Sequence, residues 1–177
     1  MAKKITITLS QKSIQDAISQ IKAYQNVLTY KCQLLAEKLA EKGVEIARLQ
    51  LADLDAIFTT ELISSAHAEY KGSIKGGGIW AVVAGTDHAM FVEFGTGIVG
   101  KRSPYPGKLP ECVDWQYASG KTIRQLADGR YGWFYQDDEG QWWFTEGMPS
   151  RPFMYYTAQE LEKIVAETAK EVFGGNR

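Results

Sequence analysis

Residues 5–9, Ile-Thr-Ile-Thr-Leu, alternate apolar and polar side chains, the two-residue period of a half-buried strand. From Ser13 the period lengthens. Ile14, Ile21, Leu28 and Leu35 recur every seven residues, and Ile18, Cys32, Leu39 and Ile46 form an offset row in which Gln25 is the polar member. Two such rows make a narrow apolar stripe on a helix, in the pattern of helices that pair. One helix over 13–51 would be ~58 Å long, against a radius of gyration of ~16 Å for a compact chain of this size. The pattern therefore predicts a break, near Asn26 rather than Gly43, with a short first helix, a longer second one and the stripe packed on a sheet. An unbroken helix would have to project and lean on a neighbouring chain.

From Glu61 the pattern turns to strands: Leu62–Tyr70, Ile79–Thr86 and Ala89–Phe94, divided by Lys75-Gly76-Gly77-Gly78 and Thr86-Asp87-His88. A clearer hairpin joins Trp133-Phe134-Tyr135 to Gln141-Trp142-Trp143-Phe144 through a polar turn ending in Gly140. Strand alternation puts half of these rings on each face, one buried and one exposed as an apolar patch, which marks a protein contact more often than a platform that stacks bases or sugars. A last helix is predicted after Ser150 as cap and Pro152 in the first turn, with Met154, Ala158, Leu161, Val165 and Val172 on its apolar side and Gly174-Gly175 at its end. Residues 98–130 hold three of the five prolines and little periodicity beyond a short helix expected around Glu111–Ala118. The expected fold is α+β: an N-terminal strand, long helices, one antiparallel sheet of about four to six strands with hairpin arms, and a C-terminal helix packed on the sheet. Residues 1–177 are expected to form a single domain, with a loop insertion at 98–130.

Composition adds exclusions. At 177 residues, 45% hydrophobic and 23% charged, the chain matches ordinary globular proteins, so wholesale disorder is excluded. A net charge of −1 disfavours a dedicated binder of nucleic-acid phosphates. Two cysteines, Cys32 and Cys112, are too few for a disulfide scaffold and suit a reducing cytosol. No apolar run reaches the ~18 residues of a membrane span, and threonines interrupt what would be the apolar part of a signal peptide. The charge is unevenly placed: residues 1–50 carry +4, 51–97 carry −4, 98–130 carry +3 and 131–177 carry −4. Such blocks suit head-to-tail association of identical subunits and suit intrachain pairing equally.

Several stretches imitate catalytic or binding motifs. Gly95-Thr96-Gly97-Ile98-Val99-Gly100 satisfies the dinucleotide fingerprint, which needs a helix opening at its third glycine; Lys101-Arg102-Ser103-Pro104 cannot begin one. His67-Ala68-Glu69 resembles part of a zinc deaminase site, but the matching Pro-Cys-x-x-Cys is absent. Asp137-Asp138-Glu139 lacks the alternating ligands of a calcium loop. Glu69, Asp87 and Glu93 could supply an acid pair for a hydrolase only if folding brought two together. No catalytic, cofactor or metal constellation emerges.

Two segments carry a family likeness: Phe91-Val92-Glu93-Phe94-Gly95-Thr96-Gly97, and Thr145-Glu146-Gly147-Met148-Pro149-Ser150-Arg151-Pro152-Phe153-Met154. In this order, with a helical N-terminal half and a C-terminal helix, they resemble the tail-component family of tailed bacteriophages, which is similar to neck and tail-completion proteins joining head to tail. The likeness spans roughly 60–173, and residues 98–130 have no counterpart in it. The resemblance implies a non-enzymatic virion part without cofactor, made in the bacterial cytoplasm and assembled as a ring of six. Its neighbours would be neck or head-completion proteins and tail-tube or terminator proteins, with no membrane and no specific DNA contact. The alternatives are a tail-terminator ring or, from another class, a small nucleic-acid or nucleotide-binding module.

Physical roles follow for the motif residues. As a strand, 91–94 would put Val92 and Phe94 on one face, Phe91 and Glu93 on the other. Gly95 and Gly97, flanking Thr96, would allow a sharp turn or close approach of another backbone. Glu93 is expected either to pair with Arg151, tying the sheet to the last helix, or to cap the Gly95–Gly97 turn. Phe153, after Pro152, and Met154 are expected to bury against the sheet. Candidate interface residues are Lys101, Arg102, Lys108, Lys121 and Arg124 in the basic loop, and Trp133, Tyr135, Trp142 and Trp143 in the hairpin.

Overall fold

The computed structural model describes residues 5–56, 60–74, 76–117, 123–137 and 139–174. Ser10 starts the first helix by accepting a hydrogen bond from Ser13 N through its side chain. No proline or glycine follows until Gly43, and the helix α1 (Gln11–Asp53) runs 43 residues without a break, ~64 Å. The break expected at Asn26 does not occur. Asn costs a helix only a few tenths of a kcal/mol, and the chain resolves the length problem by projecting. Residues 11–28 are mostly exposed, whereas the rest of α1 lies against the body.

The strand expected at 5–9 is also absent. Those residues are irregular and lie beside the start of α1, where Thr8 N donates to Ser13 Oγ at 2.9 Å and Ala17 is covered. With no partner strand, alternation alone does not make a ladder.

α1 is followed by a short helix α2 (Thr60–Ser65), and only then by strand β1 (Ala66–Ile74), so the strand expected from Leu62 starts four residues later. β1 pairs antiparallel with β2 (Gly77–Ala84) in a hairpin lying along α1. Arg48 of α1 secures it, donating from Nη2 to the Ala66 carbonyl at 2.8 Å. Two short helices follow, α3 (Ala89–Phe94) and α4 (Gly97–Arg102). A second sheet, β3 (Arg124–Gln125), β4 (Tyr131–Gln136) and β5 (Trp142–Thr145), is antiparallel throughout. After β6 (Gly147–Met148), helix α5 (Phe153–Phe173) closes the chain and packs antiparallel along α1. The α+β class is as expected, with the single larger sheet replaced by two small ones. No helix forms at 111–117.

The core sits where the C-terminal end of α1 meets α2, α3 and the start of α5: Ala47, Leu51, Ala56, Leu62, Ala89, Val92 and Phe153. α1 presents small residues to the body. A Cβ on Gly43 would come within 2.7 Å of Val82 Cγ2 and 3.0 Å of Leu161 Cδ1, so glycine sets how closely β2 and α5 approach. The buried stripe of α1 is Ala40, Gly43, Val44, Ala47 and Leu51. It differs from the seven-residue rows, whose member Ile46 is half-buried and whose continuation at Leu49 is exposed.

Candidate functional site

The run Ala89–Phe94 is a helix, which corrects the expected strand. A short apolar run reads equally well either way, and here its amides bond four residues back, Val92 N to His88 O at 3.1 Å and Gly95 N to Phe91 O at 2.8 Å. Ala89, Val92, Glu93 and Phe94 turn inward while Phe91 stays half exposed, so the alternating-face assignment fails with the strand.

Gly95 (φ 76°) and Gly97 (φ 63°) adopt the left-handed conformations that favour glycine. They also sit under another backbone, as expected. A Cβ on Gly95 would lie 2.5 Å from Ser150 N, and one on Gly97 would collide with the Glu146 carbonyl oxygen. The second motif is laced onto the first at this place. Thr96 and Gly97 bridge to Met148 and Gly147, and Met148 N donates to Thr96 Oγ1 at 3.2 Å. Ser150 Oγ donates to the Glu93 carbonyl at 2.6 Å, and Arg151 N donates to the Val92 carbonyl at 2.8 Å. The two segments of the family likeness form one clasp.

Glu93 locks it. Its carboxylate accepts from Met154 N at 2.8 Å and Tyr155 N at 3.0 Å, capping the first turn of α5. Ser150, the expected cap, serves elsewhere. Glu93 and Arg151 do not form the expected tie: Arg151 Nε donates to the Leu54 carbonyl at 3.1 Å, joining the clasp to the end of α1. Glu93 does act as a cap, but of α5 instead of the Gly95–Gly97 turn. Burial pushes its pKa up to about 7, against the two amide bonds that favour the charged form. Both carboxylate oxygens are committed to α5 amides, a bracing geometry.

The 103–117 run folds over the clasp. Trp115 Nε1 donates to the Gly95 carbonyl at 2.9 Å, and its ring packs against Phe91 and Phe94. Tyr105 stands between Phe94 and Tyr155, and Tyr105 N donates to the Tyr117 hydroxyl oxygen at 2.9 Å. Sequence reading missed these anchors; the available signal was three large rings in a proline-rich segment.

Phe153 is buried as expected, although its partners are mainly helical, and Pro152 immediately precedes α5. Of the basic candidates, Lys101 and Arg102 end α4, Lys108 lies in the irregular run, and Arg124 is in β3; all four are exposed on three separate elements. Lys121 falls outside the described residues, as do Lys75 and Asp138.

β4 and β5 form an arm rooted at Trp133, which is half-buried over Gly97. Their register, Phe134 opposite Phe144 and Tyr135 opposite Trp143, puts Trp133, Tyr135 and Trp143 on one face, Phe134 and Trp142 on the other. Neither face is buried: Tyr135, Trp143, Phe134 and Trp142 are all exposed. The expected division into a core face and a free face does not hold, because beyond Trp133 no described element covers either side. Asp137 organises the turn, accepting from Glu139 N, Gln141 N and Trp143 Nε1. Those bonds, the Trp143 one foremost, hold its pKa below the usual carboxylate range.

An apolar groove of about 620 Å³ runs between α1, β2 and α5, lined by residues including Leu39, Trp80, Val82, Met154 and Leu161. Among the described residues, no group of three or more His, Cys, Asp or Glu is placed to hold a metal ion, and no helix is long and apolar enough to cross a membrane. His67 is on the exposed side of β1, with Glu69 bonded to Lys71 at 2.5 Å; Glu93 and Asp87 lie on other elements. α4 opens at Gly97, the second glycine of the fingerprint, and its first turn is occupied by Val99 N bonding to Glu146 O. Comparison with family models, curated proteins and solved structures finds no match for this chain.

Proposed function

We propose that the protein is a structural subunit of a tailed phage, assembling as a ring in the neck or at the head-proximal end of the tail. The observation that carries this reading is the pair of apolar projections that meet no partner among the described residues, the first five turns of α1 and the β4–β5 arm. An isolated chain gains nothing by holding Ile14, Ile18, Ile21, Tyr135, Trp142 and Trp143 in water. Surfaces of this kind suit contacts between subunits. The clasp supports the reading physically, because it sets arm, α5 and α1 at fixed positions relative to one another.

The proposal covers a ring of six, adjoining neck or head-completion and tail-tube or terminator proteins as partners, and a non-catalytic role in the virion. Tail completion and termination differ in which neighbour the ring touches. Labelled protein located by electron microscopy in assembled particles tests all of this: density at the head–tail junction is expected, and absence from particles overturns it. Salt titration separates the nucleic-acid alternative. A module holding phosphates through Lys101, Arg102, Lys108 and Arg124 would lose affinity steeply as salt rises, whereas we expect no salt-sensitive binding of a DNA duplex.

A further inference from the structure

The first half of the seven-residue rows of α1, Ile14 to Leu28, meets no partner among the described residues, whereas Cys32, Leu35 and Leu39 farther along are half-buried. The body buries Ala40, Gly43, Val44, Ala47 and Leu51, a stripe lying to one side of the rows. Ahead of it, Ile14, Ile18, Ile21 and Leu28 remain 41–51% exposed. Residues 5–9 do not cover them, since Thr6 and Ser10 line a cleft with Ser13, Asp16, Ala17 and Gln20 on an adjoining side of the helix. β2 and α5 reach no farther than the neighbourhood of Thr29 and Lys31, where Gly76 and Phe173 approach. Five turns, ~27 Å, therefore carry a seam that begins where the body ends.

We infer that this seam is the contact between copies of the chain, made by parallel α1 helices in register. The inference rests on the assembly reading above and names its first interface. The period selects the occupant: rows spaced 3.5 residues apart fit knobs into holes against a helix of the same period, and α1 supplies that helix. Ile14, Ile21 and Leu28 occupy the d positions; Ile18 and Gln25 occupy a. Gln25 selects the direction. In an antiparallel pair a faces d, so its amide would meet isoleucine or leucine and stay unsatisfied. In a parallel pair a faces a, and the Gln25 amides bond to each other, fixing register as a polar a residue does. Charge permits the arrangement, because the flanking pairs it creates, Ala17 with Lys22 and Tyr24 with Thr29, oppose no like charges. Val27 and Tyr30 lie off the seam. Isoleucine in both rows favours three or more strands over two.

The test uses the full chain with Cys32→Ser and Cys112→Ser. Adding Ile18→Cys should give rapid disulfide-linked dimers under mild oxidation, and adding Tyr30→Cys, on the far side of α1, should not. Equal cross-linking of the two variants, or none with Ile18→Cys, overturns the inference. Ile18→Lys should abolish sedimentation as an oligomer while melting at the temperature to which the wild type falls on dilution to monomer, because Ile18 is half exposed on the free part of α1 and only association is lost. A wild-type chain that sediments as a monomer at every attainable concentration also overturns it. Failure of the ring reading looks different. Ile18→Lys subunits still found in rings within particles would remove the seam and keep the ring, while efficient cross-linking of the Ile18→Cys variant with no protein in particles would keep the seam and remove the ring.

Discussion

Glu93 holds a carboxylate that burial pushes to a pKa of about 7, from an ordinary value of 4.5 in the unfolded chain. Below pH 4.5 both states bind the proton and its contribution to stability is fully present. Between 4.5 and 7 the unfolded state ionises first, so stability falls as pH rises, by about 3 kcal/mol once both forms are charged. Asp137 and Asp128, held below their usual range, act in the opposite sense at acid pH. The Glu93 contribution is therefore read as a difference. Urea melts of the wild type and Glu93→Gln between pH 4.5 and 8 should show the variant less stable in acid, where an α5 amide faces its NH2 group, with the gap closing as pH rises. A gap independent of pH would show that Glu93 does not titrate in this range. Phe153 offers a simpler case. It is 1% exposed, and Phe153→Ala should cost ~3–5 kcal/mol by chemical denaturation.

The arm and the helices respond differently to change. Trp142 is 64% exposed, so Trp142→Ser should leave stability within ~0.5 kcal/mol of wild type while lowering the yield of assembled rings in micrographs. Unchanged assembly would remove the arm from the interface. The arm was also the most legible element beforehand, because two aromatic runs and a polar turn specify a hairpin through local chemistry alone. α5 is legible for the same reason, although its buried side, Phe153, Thr157, Thr168 and Val172, shares only Val172 with the row expected at Met154, Ala158, Leu161, Val165 and Val172. Ala89–Phe94 is ambiguous in sequence, because six residues hold too few repeats to separate a period of two from one of 3.6. The clasp was half legible: the glycines announced a close backbone approach, but which carboxylate caps which helix depends on contacts sixty residues apart. Residues 103–117 form no regular element, and their rings were placed by tertiary contact with Phe91, Phe94 and Tyr155.

Long-range charge makes a further distinction. Blocks of +4, −4, +3 and −4 along the chain suit contacts between subunits and pairing within one equally, and any subunit contact built on them would weaken as salt rises. An apolar seam does not, and strongly excluded salts such as sulfate strengthen it. Sedimentation in sodium chloride and then in sodium sulfate should leave the oligomer intact in the first and favour it in the second; dissociation in both would assign association to charge. The unbroken α1 departs furthest from the expected pattern, because the limit on helix length holds only for a compact chain. A radius of gyration bounds a chain that buries all its apolar residues by itself, and this chain leaves five turns of them outside.

One continuous helix, half wrapped and half bare, also provides its own internal standard. In a free subunit the amides of residues 11–28 open by fraying from the tip, so they should take up deuterium within seconds to minutes, while those around Ala47 and Leu51 wait for global unfolding. Once the tip is gripped, the fast half should slow and the slow half should stay as it was. A single exchange profile along α1 thereby reports occupancy at one end and fold integrity at the other, with no label added.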